Sequence, residues 1–256
     1  MGLHGLSGES RALIKCYLRC YLAGACFNPR GYHNVGLSYA IYPGLAAIHK
    51  SGKELRAARR RYIRHFNTHL FWLPCLVGIF LSAERYIASG HMPPKMVDRL
   101  KNTAAYTLSA IGDSVFAGSL LIFWALSSIC LLLAGFRVLP LLLGVIFFLG
   151  VQVFRAYTFW AGHRLGLAFL ERLRKWDLIN WGQRLKYVNA ALLVCLWLLV
   201  WPRTPHWEDW LGTTLGMAAL ARFLYRRQVP REVVLVVILA VMGALPWLTR
   251  WVSGLA

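Results

Sequence analysis

The chain is 256 residues long, 58% hydrophobic and only 15% charged, with a mean hydropathy of +0.50. That balance excludes an ordinary soluble domain and points to an integral membrane protein. Its 29 Lys and Arg against 10 Asp and Glu give a formal net charge of +19. The cations cluster between apolar runs, where they report topology and face anionic lipid headgroups or acidic proteins, so nucleic acid is not an expected partner.

Residues 1–19 mix small and polar residues with Arg11, Lys15 and Arg19, and lack the compact apolar run and cleavage site of a secretory signal. The expectation is a retained, cytoplasmic N-terminus. Asn28-Pro29 and Gly31 break regular structure, after which Val35, Leu37, Tyr39, Ile41 and Tyr42 make a short apolar helix that Pro43-Gly44 should interrupt. Residues 50–64 form a basic amphipathic helix: Leu55, Ala58, Tyr62 and Phe66 recur at helical spacing, with Arg56, Arg59, Arg60 and Arg64 mostly off that stripe. Such a helix suits the cytoplasmic surface of a membrane, or equally the face of a partner protein. Residues 1–65 are thus expected to be a cytoplasmic or interfacial region.

Residues 66–83 are apolar but open with Asn67, Thr68 and His69 and contain Pro74. They are marginal in length for a span. Residues 84–101 carry Arg85, Lys95, Arg99 and Lys101, which the positive-inside tendency keeps in the cytoplasm. Segment 66–83 is therefore expected to enter and return as a re-entrant hairpin. Asp113 follows at the mouth of the uncharged run 117–134. A carboxylate there is either a functional group or a cap satisfied by backbone N–H groups. Residues 66–134 make up the second region, ending in the first spanning helix.

Residues 135–256 form the C-terminal transmembrane region. Segment 139–154 returns, and the cytoplasmic loop 155–186 carries Arg164, Arg172, Arg174, Lys175, Arg184 and Lys186. Segment 187–201 goes out and 210–221 comes back to Arg222, Arg226, Arg227 and Arg231; 233–248 then crosses to a periplasmic C-terminus. Trp197, Trp201, Trp207, Trp210, Trp247 and Trp251 fall at the outer interface, as an aromatic belt should. The fold class is an all-α membrane protein, with amphipathic N-terminal helices, a re-entrant hairpin and about four to five transmembrane or membrane-embedded helices.

The order Asn28, Asn34-Val-Gly36, Pro43, then Phe66-Asn67-Thr68-His69, Glu84, Ile111-Gly112-Asp113 with Phe116, and Gly162-His-Arg-Leu-Gly166 resembles the enzyme IID subunit of mannose-family phosphotransferase systems. The resemblance runs from about Ala25 to Gly254. It implies an inner-membrane subunit of a bacterium that pairs with a IIC subunit, as a trimer of IIC–IID heterodimers, to pass a hexose. The IIA and IIB proteins of such systems carry phosphate from phosphoenolpyruvate, and IID subunits are not themselves phosphorylated. Some positions depart from the family: Asn28-Pro-Arg-Gly-Tyr-His33 loses an acid, Leu70 replaces a proline and Arg85 a second glutamate. The usual Met-Gly-Pro before the Gly-Asp element is Ala105-Tyr106-Thr107, and the proline after the aspartate is Ser114. These departures keep open an alternative: a diverged scaffold or regulatory subunit that assembles with IIC but transports little.

Sugar binding needs directed hydrogen bonds to hydroxyls, and Asn67, Thr68, His69 and Asp113 are the candidates. For Asn67 and Thr68 a capping role is the competing reading. His65 and His69 share a helix face, yet no third ligand accompanies them, so no metal is expected. Neither a CxxC pair nor a phosphate-binding glycine loop occurs, so cofactors and a catalytic residue of its own are not expected. The arginines of loop 155–186 read either as a dock for IIB and its phosphoryl group or as the plain positive-inside signal.

Overall fold

The computed structural model describes residues 7–200, 207–230 and 232–240. The chain divides into two units, Met1–Val200 and Trp201–Ala256. Among the described residues all regular structure is helical, apart from the isolated bridges Asn28↔Tyr32 and Tyr32↔Phe66.

The first helix, α1 (Gly8–Arg19), starts where Ser7 accepts the Ser10 N–H and has Glu9 in its first turn, both favourable at a helix N-terminus. Its buried stripe, Ala12, Leu13 and Cys16, packs on α2 (Asn34–Ile48). Pro43 does not interrupt α2 as expected. Its missing N–H leaves the Tyr39 carbonyl without an intrahelical donor, and the Arg19 guanidinium donates to that oxygen at 3.3 Å. The buried face Leu37, Ala40, Ile41, Gly44 and Leu45 continues on both sides of the proline, so packing carries the helix through. The basic helix α3 (Gly52–Tyr62) buries Ala58 and Tyr62 from the expected stripe; Phe66 is also buried, but it is reached by irregular chain beyond the helix end.

Segment 66–83 does not fold back on itself. Residues 66–72 are largely irregular, and a single helix, α4 (Leu73–Ala88), then runs straight through. Pro74 sits at its first turn, where a missing N–H costs nothing, and no breaker follows until Gly90 and Pro93-Pro94. The reversal therefore falls at residues 89–93, and the return limb is α5 (Pro94–Gly112). Every residue of α4 from Leu73 to Glu84 is buried. A helix apolar all round must be wrapped, and α4 is the central post of the unit.

From α5 the chain continues through a π-helical stretch, Asp113–Leu120, into α6 (Leu121–Leu133), giving one helix from Pro94 to Leu133. A turn at Gly135 (φ +90) leads to α7 (Val138–Leu165), then α8 (Ala168–Arg174) and α9 (Leu178–Val200). Three stretches, Pro94–Leu133, Val138–Leu165 and Ala168–Val200, are long and apolar enough to cross a membrane. Their large side chains, such as Leu141, Ile146, Phe148, Val153 and Leu193, are exposed. Water would penalise that surface, whereas hydrocarbon satisfies it.

Helix packing is closest between α4 and α7. A Cβ at Gly78 would lie 2.3 Å from the Phe159 carbonyl oxygen, and one at Gly162 would lie 2.7 Å from that of Cys75. Two glycines thus let the backbones touch, as in small-residue membrane contacts. Between α9 and the π stretch the contacts are polar. The Ser119 hydroxyl donates to the Ser114 carbonyl (2.8 Å) and the Gly182 carbonyl (3.1 Å), and Asn189 donates to the Ser119 carbonyl at 2.9 Å.

In the second unit, α10 (Trp207–Arg227) contains the expected segment 210–221, but Glu208, Asp209, Arg226 and Arg227 mark its ends and it is not among the three long apolar helices. Residues 232–240 are helical. Trp201, Trp247, Trp251 and the rest of the expected final crossing lie outside the described residues.

Candidate functional site at the helix break

Asn28 and Asn34 build the loop that borders the site. Asn28 accepts the Gly31 N–H (2.8 Å) and donates to the Asn34 side chain (2.8 Å), and Asn34 donates to the Ile63 carbonyl (2.7 Å). The two form an Asx-type lock, which makes their role structural. Gly36 belongs to the same frame: a Cβ there would meet the Ala23 carbonyl oxygen at 2.4 Å. The loop is tied to the Phe-Asn-Thr-His element by His33 N–H to Phe66 O (2.9 Å) and Phe66 N–H to Gly31 O (3.2 Å). Phe66 anchors that element by burying its ring against Phe80.

The four polar candidates fall at one end of α4. Asn67 faces His33, with Oδ1 3.2 Å from the imidazole Nδ1. Thr68 is 3% exposed, and its hydroxyl has no partner. His69 stacks on Phe116 at 5.4 Å and meets Phe71 edge-on at 5.0 Å. Gly112 allows this approach, because a Cβ there would lie 2.4 Å from that of His69 and 3.0 Å from Trp72. Asp113, next in sequence, is exposed and close enough for its charge to act on His69. Burial pushes the His69 pKa below its ordinary value, and Asp113 offsets part of that shift.

Sequence reasoning missed Trp72, which is fully buried at the centre of this end, packs on Phe116 and Phe154 (4.9 Å), and has an indole N–H without a partner. Trp72 reads as one more apolar residue in a run, and nothing in its spacing marks it. The π-helical stretch was equally invisible. It begins at Asp113 itself, and π turns inside α-helices gather at functional sites because they loosen the backbone ladder locally. Among the described residues the site therefore holds two buried donors without a partner, an imidazole, an amide and an exposed carboxylate, at the end of α4 that meets the π-helical stretch. That set can grip a hydroxyl-bearing ligand through directed hydrogen bonds.

Glu84 lies elsewhere, toward the other end of α4, and is fully buried. Its carboxylate accepts from Arg61 Nε (3.1 Å) and Nη2 (2.6 Å), from Tyr62 Oη (2.8 Å) and pairs with His49 Nε2 at 2.8 Å. Lys101 closes the arrangement by donating to the Arg61 carbonyl at 2.8 Å. Burial, then the neighbouring carboxylate, drives the Tyr62 phenol well above its usual pKa, so it stays a donor. His49 and Arg61 were not singled out from sequence, because a basic helix conceals which arginine turns inward. Gly162 and Gly166 sit at the far end of α7. Gly166 has φ +56, and a Cβ there would come 2.7 Å from the Ser82 hydroxyl. Among the described residues no group of three His, Cys, Asp or Glu is placed to hold a metal.

Residues 9–197 match the model of the PTS system mannose/fructose/sorbose family IID component. The mannose-specific EIID components of Escherichia coli strains K12 and O157:H7 are each 24% identical over 153 residues, 59% of this chain and 54% of theirs. The chain thus spans about half the length of these curated relatives. Two solved structures share the fold. One, described only as a membrane protein, has a TM-score of 0.72 at 19% identity, covering 93% of this chain and 97% of that one. The other, a cryo-EM structure of the mannose transporter ManYZ with microcin E492, has a TM-score of 0.54 at 18% identity, covering 93% and 96%. With three-quarters of its length inside the family match and its Phe-Asn-Thr-His and Gly-Asp elements packed together, the chain belongs to the IID components of the mannose/fructose/sorbose phosphotransferase family.

Proposed function

We propose that this IID chain joins a IIC subunit in a bacterial inner membrane, as a trimer of heterodimers, to form the path for a mannose-type hexose. The sugar is phosphorylated by IIB, which IIA recharges from phosphoenolpyruvate. The N-terminus is cytoplasmic and the C-terminus periplasmic. Asn67, Thr68, His69 and Asp113 offer the sugar its hydrogen bonds, and Trp72 presents an indole N–H beside them. The observation that carries this reading is the meeting of His69 with Gly112-Asp113 at the start of the π-helical stretch, within a chain of this family.

The test is phosphoenolpyruvate-dependent uptake in a strain lacking its own IID. This chain restores uptake, and Asp113→Asn abolishes it while the protein still reaches the membrane and co-purifies with IIC. Normal uptake by that variant removes Asp113 from the site.

A second reading, a scaffold or regulatory subunit with little transport, is favoured by one observation. Where family members carry Gly-Pro, Ala105-Tyr106-Thr107 lies inside unbroken helix. Assembly with IIC without restored uptake selects it.

A further inference from the structure

Three arginines from three different helices converge on a cavity of about 1160 Å³ at the end of α4 remote from His69 and Asp113: Arg85 from α4, Arg164 from α7 and Arg172 from α8. No acidic side chain lines it. Glu9 of α1, outside the lining, pairs with Arg85. His163 forms part of the wall, is 6% exposed, and its Nδ1 is buried with no hydrogen-bond partner. The ring that carries this closed-off nitrogen forms part of a wall dominated by positive charge. The remaining wall includes Tyr86, Tyr157 and Trp160, all exposed.

The length of α7 sets the depth of this cavity. Its 28 residues extend about 42 Å at about 1.5 Å per residue, which matches the roughly 40–45 Å from headgroup to headgroup across a bilayer. With Val138 at one face, Arg164 reaches the phosphate level of the other. Exposed tyrosines and a tryptophan around the same opening belong at that level.

We propose that this cavity binds the phosphate of an anionic membrane phospholipid, with Arg164 and Arg172 gripping the phosphate oxygens. Guanidinium groups meet phosphate through paired, charge-assisted hydrogen bonds. The cavity is far larger than a phosphate ion requires, leaving room for the glycerol and headgroup.

The test uses the full chain purified in detergent, delipidated and titrated with phosphatidylglycerol, phosphatidylcholine or glycerol 3-phosphate, with bound lipid counted by native mass spectrometry. Phosphatidylglycerol is retained in preference to phosphatidylcholine. Arg164→Gln and Arg172→Gln, both at exposed positions, each weaken that retention about fivefold with the helical circular dichroism unchanged. Arg164→Lys, which keeps the charge but not the paired donors, retains more of it than Arg164→Gln does. Equal retention of the two lipids, or unchanged retention in both glutamine variants, overturns the proposal. So does saturation by glycerol 3-phosphate at concentrations where the lipid has no effect, which would assign the site to a soluble phosphate ester. Glutamine variants that keep their lipid but lose binding to a phosphorylated protein partner also overturn it, in favour of a protein dock.

Discussion

Glu84 is a buried carboxylate whose charge is met by one guanidinium, one phenol and one imidazole. Removing one member of a buried pair leaves the other charge uncompensated, which typically costs about 3–5 kcal/mol. Glu84→Ala is therefore expected to lower the unfolding free energy by that order, read by chemical denaturation in detergent. Arg61→Met should cost comparably, and the double variant less than the sum of the two. His69 supplies a second prediction. Because the fold depresses its pKa, the unfolded chain binds the proton more readily, so the contribution of His69 is complete above about pH 6.5. It is lost as pH falls through the folded value. Thermal unfolding should show a stability that declines on acidification below that point, and His69→Gln should flatten the decline. Burial also raises the Cys16 thiol to about 12, so Cys16 should resist alkylation at neutral pH.

At the scale of elements, the contact of α4 with α7 depends on the absence of two side chains. Gly78→Val or Gly162→Val would drive a side chain into backbone carbonyls at 2.3 and 2.7 Å. A backbone cannot yield as a side-chain tip can, so the helices must separate. Either variant is expected to assemble poorly and to become sensitive to protease in residues 89–93, read by limited proteolysis of membranes. Gly52→Ala, where a Cβ meets nothing within 4 Å, is the matched control and should be silent. The contact of α9 with the π-helical stretch rests on hydrogen bonds instead. Ser119→Val removes the single hydroxyl proton shared between the Ser114 and Gly182 carbonyls, a loss of about 0.6 kcal/mol, the average for such bonds in a membrane.

For the molecule as a whole, the distribution of cations predicts an orientation, and Lys95 is the position that tests it. It stands at the start of α5, in the reversal between α4 and α5. In a variant with its native cysteines replaced, an impermeant thiol reagent applied from the periplasm should fail to label Lys95→Cys and should succeed after the membrane is opened. Composition and charge made the membrane class and the apolar centres of the three long helices legible, and the order of short polar elements made the family legible. The expected loop 155–186 is instead mostly helical, shared among α7, α8 and α9, because its basic residues do not interrupt helical winding. Sequence also exposed Asp113, because an acid at the mouth of an uncharged run is conspicuous, and Glu84 through the resemblance. Their partners stayed hidden: Trp72 resembles its apolar neighbours, Arg61 is one of three successive arginines, and His49 precedes a lysine. The misplaced fold-back came from length and charge, because keeping Lys95 and Arg99 inside asked for a return within 66–83, whereas the return limb is α5. The uninterrupted α2 has a different cause. A proline signals only the loss of its own donor, whereas the outcome depends on whether tertiary contacts, here Arg19 on the Tyr39 carbonyl, take up what it leaves free.

The widened turns from Asp113 to Leu120 carry one residue more than regular winding needs. Deleting one residue among 114–118 would straighten the coil and keep its register, whereas winding the same residues in ordinary α-helical turns would swing everything beyond them by about 100°. Cys130 would then no longer face Leu192. The surplus residue thus acts as a rotational setting between the half of the helix that holds Gly112 and the half that lies in lipid.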